Sequence, residues 1–119
     1  MGRTYSFECE QCGYVAKVAG GFADGLDFAV QTIACLDCRE LQDAVTSAVI
    51  PDGTSDPPPL SQLMRRLPLA GRRNTKRQKF VPACTMSKSH AVRPWNQPDK
   101  CPRCGAFLER DAFPFVQWD

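Results

Sequence analysis

The chain is poor in the features that mark most functional classes. It holds a single histidine, and no apolar run comes near the ~18 residues that a membrane-spanning helix needs. No charged and then apolar leader opens it, so the expected compartment is a reducing one, the cytoplasm. The opening Met-Gly-Arg-Thr-Tyr-Ser fits a short acylation pattern at Gly2, but such matches arise often by chance, and no membrane partner is expected. Asp24, Asp27 and Asp37 make no defensible acid/base pair, and no Ser or Cys stands as an activated nucleophile. Neither an enzyme nor a small-molecule substrate is therefore indicated. Apolar residues are also scarce, at 43% of 119, while 10 prolines and 8 glycines imply many turns. So thin a core stabilises weakly, and short chains commonly add disulfides or metal.

Cysteine supplies that restraint. Seven are present, an odd number that argues against a closed set of disulfides. In a reducing compartment, paired cysteines serve as metal ligands or redox groups. Six of them form Cys-x-x-Cys pairs: Cys9/Cys12, Cys35/Cys38 and Cys101/Cys104. Such a pair in a tight turn places two sulfurs on one side of the backbone, and two pairs facing each other complete a tetrahedron about zinc. Cys9/Cys12 and Cys35/Cys38 are 22 residues apart, room for one hairpin, and are expected to share a first site. The competing reading, two redox dithiols, fits less well, because such motifs head helices in βαβ folds and β-type sequence surrounds these. Cys84, His90, Cys101 and Cys104 then form a candidate second site of three cysteines and one histidine, four competent ligands within 21 residues. His90 as a solvated loop residue is the alternative, with water or a neighbour completing the shell. Two zinc ions are expected.

Around these knuckles the sequence reads as short strands. Tyr5–Glu8 alternates, Val15–Val18 leads out of the first knuckle, and Gly20-Gly21 and Asp24-Gly25 mark turns. Phe28–Ala34 and Val45–Ile50 flank the second knuckle as strands. Residues 51–59, with four prolines, form a linker. Leu60, Leu63, Met64 and Leu67 make one face of a two-turn helix ended by Pro68. Residues 71–79 are polar and turn-like. Residues 80–119 are irregular to Trp95 and close on Phe113, Phe115 and Trp118, with Pro114 restricting that strand to an edge. The expected fold is small, metal-stabilised and mainly β. Two zinc-ribbon-like lobes, 1–50 and 80–119, are joined by a Pro-rich and basic linker with a short helix, 51–79.

The segments YSFECEQCGY, AGGFADG, CLDCREL and CPRCGAFLERD, with the final Trp-Asp, resemble a family of small bacterial double zinc-ribbon proteins with rubredoxin-like knuckles. The likeness spans most of the chain outside residues 51–79. In that family the third knuckle has two cysteines; here it begins at Cys84 and has Ser87 where the second would fall, which shifts a ligand role to His90. The resemblance implies two zinc ribbons and no activity. CEQCGY with a distant CPRCG also resembles rubredoxin, whose four thiolates hold iron for electron transfer. That would pair Cys9/Cys12 with Cys101/Cys104 across 88 intervening residues and leave Cys35/Cys38 without a role.

Charge is concentrated. Residues 1–64 carry −6, residues 65–79 carry +7 with no acid, and residues 80–119 carry +1. The block of Arg65, Arg66, Arg72, Arg73, Lys76, Arg77 and Lys79 suits nucleic acid or an acidic protein partner, with Phe80, Trp95 and Phe107 as candidate stacking surfaces. Without base-reading residues, such binding would have little sequence specificity. The plainer reading is a solvated basic loop, or one folded over the acidic N-terminal half. Thr85–Ser89 resembles a signature loop of class I aminoacyl-tRNA synthetases, but this chain lacks room and pattern for the nucleotide-binding domain in which that loop works. The leading expectation is a non-enzymatic interaction module, of the kind that serves as an accessory subunit; the alternative is an iron electron carrier or thiol-redox protein, and a third reading is a catalytic zinc with an open position at the second site.

Overall fold

The computed structural model describes residues 2–25, 27–53, 58–65, 74–110 and 116–118. Two antiparallel sheets carry the knuckles. In the first, β1 (Gly2–Glu8) pairs with β2 (Val15–Val18), β8 (Glu109–Arg110) and β9 (Val116–Trp118). In the second the order is β3 (Phe22–Asp24), β4 (Phe28–Cys35), β5 (Glu40–Pro51), β6 (Thr75–Lys79), and β7 (Val92–Pro94) also pairs with β4. Along β4, β5 takes one edge from Phe28 to Cys35, while β3 takes Ala29–Gln31 and β7 takes Ile33–Cys35. β4 is paired along both edges and is buried almost throughout, in keeping with its nearly continuous apolar sequence.

Strand pairing crosses the expected division at residues 50 and 80. β8 and β9, from the third segment, pair with β1, β7 pairs with β4, and β6 pairs with β5. Two stretches expected to be irregular form strands. Thr75–Lys79, read as part of a polar turn-like segment, adds to the sheet at β5, and Val92–Pro94 adds at β4. Tertiary pairing here overrides weak local propensity. The short helix α1 (Leu60–Arg65) sets Leu63 into the core, with Leu60 partly buried beside it; Leu67 and Pro68 lie outside the described residues. Phe113, Pro114 and Phe115 also lie outside them.

The larger core centres on Trp95, with no exposed surface, which meets Phe7 edge-on at 5.2 Å between ring centroids. Its indole Nε1–H donates to the Lys100 carbonyl at 2.8 Å, so burial leaves no polar atom unpaired. This corrects the assignment of Trp95 as a stacking surface: its faces are occupied by the core. Phe107, by contrast, is exposed. Packed with Trp95 are Ala16, Val18, Ala34, Leu41 and Leu108, and also two sulfurs, those of Cys9 and Cys101. A second cluster, Phe28, Val30, Ala48, Ile50 and Leu63, lies under α1.

A polar tie joins the sheets. Thr32 Oγ1 donates to Asp43 at 2.7 Å and accepts from the Gly20 and Gly21 amides, while Asp43 also accepts from the Ala19 amide. Gly20 must be glycine twice over: its φ is +85°, and a Cβ would stand 2.6 Å from the Phe7 ring. Trp95→Ala should cost about 3–5 kcal/mol in chemical denaturation of the metal-loaded protein. Val81→Ser, at an 88% exposed position, should stay within about 0.5 kcal/mol. Equal losses would place the core elsewhere.

Candidate metal centres

Each Cys-x-x-Cys unit sits in a tight turn. The first joins β1 to β2, the second joins β4 to β5, and the third lies inside the Lys100–Phe107 bridge. All three close with the same hydrogen bond, from the residue after the second cysteine back to the carbonyl of the first: Gly13 to Cys9 (2.9 Å), Arg39 to Cys35 (2.8 Å) and Gly105 to Cys101 (3.0 Å). That turn demands a positive φ, found at +79° in Gly13, +57° in Arg39 and +82° in Gly105. Two knuckles meet the demand with glycine, and the middle one uses arginine.

Among the described residues the ligand atoms form two groups, each lying within 4.8 Å of one another: Cys9, Cys12, Cys101 and Cys104, and Cys35, Cys38, Cys84 and His90. We call these centres 1 and 2. All eight side chains expected as ligands are therefore in clusters, but the grouping corrects the expected one. The first knuckle meets the last, as in the rubredoxin resemblance, and the second meets Cys84 and His90. Strand pairing decides this. β8 lies against Phe7 and Glu8 and draws the third Cys-x-x-Cys turn to Cys9. β7 lies against Ile33–Cys35, the Leu36 amide donates to the Ala91 carbonyl, and Asp37 accepts from the Ala91 amide, which sets His90 beside Cys35.

The spacings suit a central ion. Ligands ~2.3 Å from tetrahedral zinc stand about 3.8 Å apart for two sulfurs and about 3.5 Å for a sulfur and an imidazole nitrogen. Centre 2 has Cys38–Cys84 at 3.7 Å, and His90 Nδ1 at 3.6 Å from Cys35 and 3.4 Å from Cys38. Centre 1 has Cys12–Cys101 at 3.7 Å and a tighter Cys9–Cys104 edge at 3.3 Å. No pair is near the ~2.05 Å of a disulfide, and all seven thiols are free.

Second contacts aim at the sulfurs. Backbone amides of Cys38, Met86 and Arg103 donate to Cys35, Cys84 and Cys101, and the Gln42 amide donates to Cys84 at 3.4 Å. The Cys12 backbone amide holds the Cys9 thiol down to about 7. At Cys84, burial pushes upward but the Met86 and Ser87 amides and Gln42 prevail, leaving it at about 6. Cys38 is pushed to about 12, first by its hydrogen bond with Cys35 and then by burial. Cys104 also rises to about 12: the Ala106 amide favours its thiolate, but Cys9, burial and the other two sulfurs outweigh it. Each cluster thus favours one thiolate and resists another, the conflict that a bound cation removes.

Basic residues are divided. Lys76, Arg77 and Lys79 stand on β6, with Arg77 paired to Asp24 at 3.2 Å. Arg66, Arg72 and Arg73, like the side chain of Arg65, lie outside the described residues. Sequence reasoning missed Tyr14, Arg39, Gln42 and Arg103, which support the centres. The one available signal was Arg39, standing where the other two knuckles have glycine. Among the described residues no helix is long and apolar enough to cross a membrane.

Comparison with known protein families, curated proteins and solved structures finds no match to this chain. The zinc-ribbon resemblance therefore rests on the knuckles, whose clusters fit such sites.

Ligand thiols must lose protons to bind metal, so the loaded fold holds fewer protons than the unfolded chain and gains stability as pH rises. The signs at Cys9 and Cys84 agree: thiols held below their usual value stabilise fully above about 9. That contribution fades as pH falls through about 7 and about 6. The raised thiols have the opposite sign until a metal takes their protons' place. Acidifying from pH 7.5 to 4.5 should release metal and native structure together, read by a chromophoric chelator and circular dichroism. Metal release with structure intact would contradict the linkage.

Proposed function

We propose that this protein is a zinc-binding, non-enzymatic interaction module, an accessory subunit of a reducing compartment such as the cytoplasm. One zinc ion in each centre would hold the two sheets in place. The observation that carries this is that three edges of centre 2, Cys38–Cys84, Cys35–His90 and Cys38–His90, match those of a tetrahedral zinc site with three sulfurs and one imidazole. Four protein ligands fill a tetrahedron and leave no position for substrate, which favours structural over catalytic metal. The basic segment is offered to an anionic partner, nucleic acid or an acidic protein surface. Lys76, Arg77 and Lys79 are exposed on β6 and belong to its described part, Arg77 being paired with Asp24. The same residues would also guard a strand edge against aggregation, so partner binding needs its own test.

A second reading has a specific observation behind it. Centre 1 pairs the first and last knuckles as rubredoxin does, and each knuckle carries glycine after its second cysteine. Iron there would make the protein an electron carrier. Zinc–thiolate is colourless and iron–thiolate red, so metal analysis and the visible spectrum of protein purified without oxygen decide between them. We expect two zinc ions per chain, and His90→Ala to weaken or lose one. A red protein, or two equally tight ions in His90→Ala, would overturn the zinc assignment or remove His90 as a ligand.

For the basic segment, log affinity for RNA or DNA should fall with log salt at roughly −0.7 to −0.9 per phosphate. Replacing Lys76, Arg77 and Lys79 with Gln should flatten that slope while leaving zinc content intact. Absence of binding at ~50 mM salt, where such contacts are strongest, would eliminate nucleic acid and leave the acidic protein surface.

A further inference from the structure

The two centres touch through their supporting residues. Arg39, which follows Cys38 of centre 2, donates from its guanidinium to the carbonyl of Arg103. Arg103 lies between Cys101 and Cys104 of centre 1, and its Nε donates back to the Arg39 carbonyl at 3.2 Å. The Arg103 guanidinium also meets Glu40 at 3.4 Å and lies over the Tyr14 ring, 4.6 Å from its centroid. Tyr14 belongs to the first knuckle, and its hydroxyl accepts from the Leu41 amide at 2.8 Å. Every Cys-x-x-Cys turn in the protein thus enters one clasp.

Arg39 supplies an independent reason to see more than surface contact. Its backbone stands at φ +57°, a left-handed conformation that side chains other than Gly, Asn and Asp rarely adopt. The equivalent positions, Gly13 and Gly105, avoid that strain, and a Cβ at either would meet only open space. Room for a side chain is therefore common to the knuckles, and what distinguishes Arg39 is the partner that its guanidinium reaches. A strained position kept in an uncommon conformation points to a role for the side chain.

We propose that the two metal centres load cooperatively, coupled by the clasp of Arg39 and Arg103. The proposal rests on the two-centre reading above and adds that neither ion binds independently. Metal in centre 2 fixes the turn that bears Arg39, and so presents the guanidinium and carbonyl that lock the Arg103 turn in its ligand geometry. By linkage, metal in centre 1 returns the same factor to centre 2. Topology adds a second share. The centres are nested: Cys38–Cys84 spans 46 residues inside the 89 of Cys12–Cys101, so closing the inner ring removes about half of the outer one. Halving a loop eases its closure about threefold. Arg39 and Arg103 are positioning residues, since neither ligates metal.

Cobalt(II) is the probe, because tetrahedral thiolate cobalt absorbs in the visible and the band position differs between a site of four sulfurs and one of three sulfurs and an imidazole. The full chain, stripped and kept reduced, is titrated with Co²⁺ against a competing chelator. The same is done for Cys84→Ser/His90→Ala, which disables centre 2. We expect centre 1 to bind Co²⁺ about tenfold or more weakly in that variant, within the usual range of coupling between sites. With Arg39→Gly and Arg103→Ala both present, the effect of disabling centre 2 should shrink to about the threefold share of ring closure, and with either alone it should fall part of the way. Arg39→Gly copies the other knuckles and relieves the backbone while removing the guanidinium half of the clasp, and Arg103→Ala removes the other half, so the double variant is decisive. Two cobalt ions with unchanged coupling in Arg39→Gly and Arg103→Ala would overturn the clasp. Equal centre 1 affinity with and without centre 2 would overturn the coupling alone. A wild type binding fewer than two tetrahedral ions would overturn the two-centre reading and the coupling with it.

Discussion

Four sulfur atoms within 4.8 Å of one another cannot all be anionic unless a cation lies among them, and centre 1 gathers its four from turns near opposite ends of the described chain. Cys9 and Cys104 are 95 residues apart in sequence and 3.3 Å apart in space. The intervening chain must therefore return to where it left, with β8 and β9 laid along β1. The same requirement repeats inside, where β7 returns to β4 and delivers the Cys84–His90 stretch to the second knuckle. Nesting follows from this: an inner ring is completed within an outer one, and each sheet is finished by strands from late in the sequence.

The centres are continuous with the apolar core. Cys9 and Cys101 are buried in the cluster that holds Trp95 and Phe7, and Cys35 has no exposed surface at the end of β4. A thin core and a metal site thus share atoms, and a change in one is felt by the other. Structural metal in small domains commonly contributes folding free energy outright. Cys12 and Cys104 complete centre 1 from the solvent side, so the ligand set spans the boundary between core and water.

Much of this was legible in the sequence, for physical reasons that can be named. Alternation in Tyr5–Glu8, and in Phe28–Ala34 around β-branched residues, pointed to strands because such periods are set locally. The Cys-x-x-Cys turns were legible because their geometry is set within five residues. Which turn faces which was not, because spacing measures the chain between two knuckles and says nothing of strands that arrive later. Cys9/Cys12 and Cys35/Cys38 are neighbours in sequence, yet each caps a hairpin in a different sheet. The insert, much longer than a rubredoxin pairing suggests, is the part that contains centre 2. Trp95 misled because an aromatic in irregular sequence does not reveal which faces are covered. Thr75–Lys79 misled because a basic run shows no period until β5 offers it an edge.

Charge gives the metal a consequence beyond stability. The formal net charge of +2 counts the thiols as neutral. Seven thiolates with two divalent ions, as proposed, contribute −3, so the loaded protein stands at −1. Loading therefore reverses the sign of the whole and sharpens the contrast between the basic segment and its surroundings. The negative charge falls at the knuckles, beside an N-terminal half already at −6 over residues 1–64. Part of the positive charge is neutralised internally, as in the Arg77–Asp24 pair, and exposed pairs of that kind contribute little to stability. A polyanion approaching the loaded protein would be repelled by the knuckle faces and attracted, among the described residues of the basic segment, to the exposed Lys76, Arg77 and Lys79 on β6. The metal-free chain, with −6 over residues 1–64 and +7 over 65–79, would discriminate less sharply. In this arrangement, the ions that hold the fold would also confine an anionic partner to one place on it, which couples metal state to partner choice through long-range charge rather than through a conformational change.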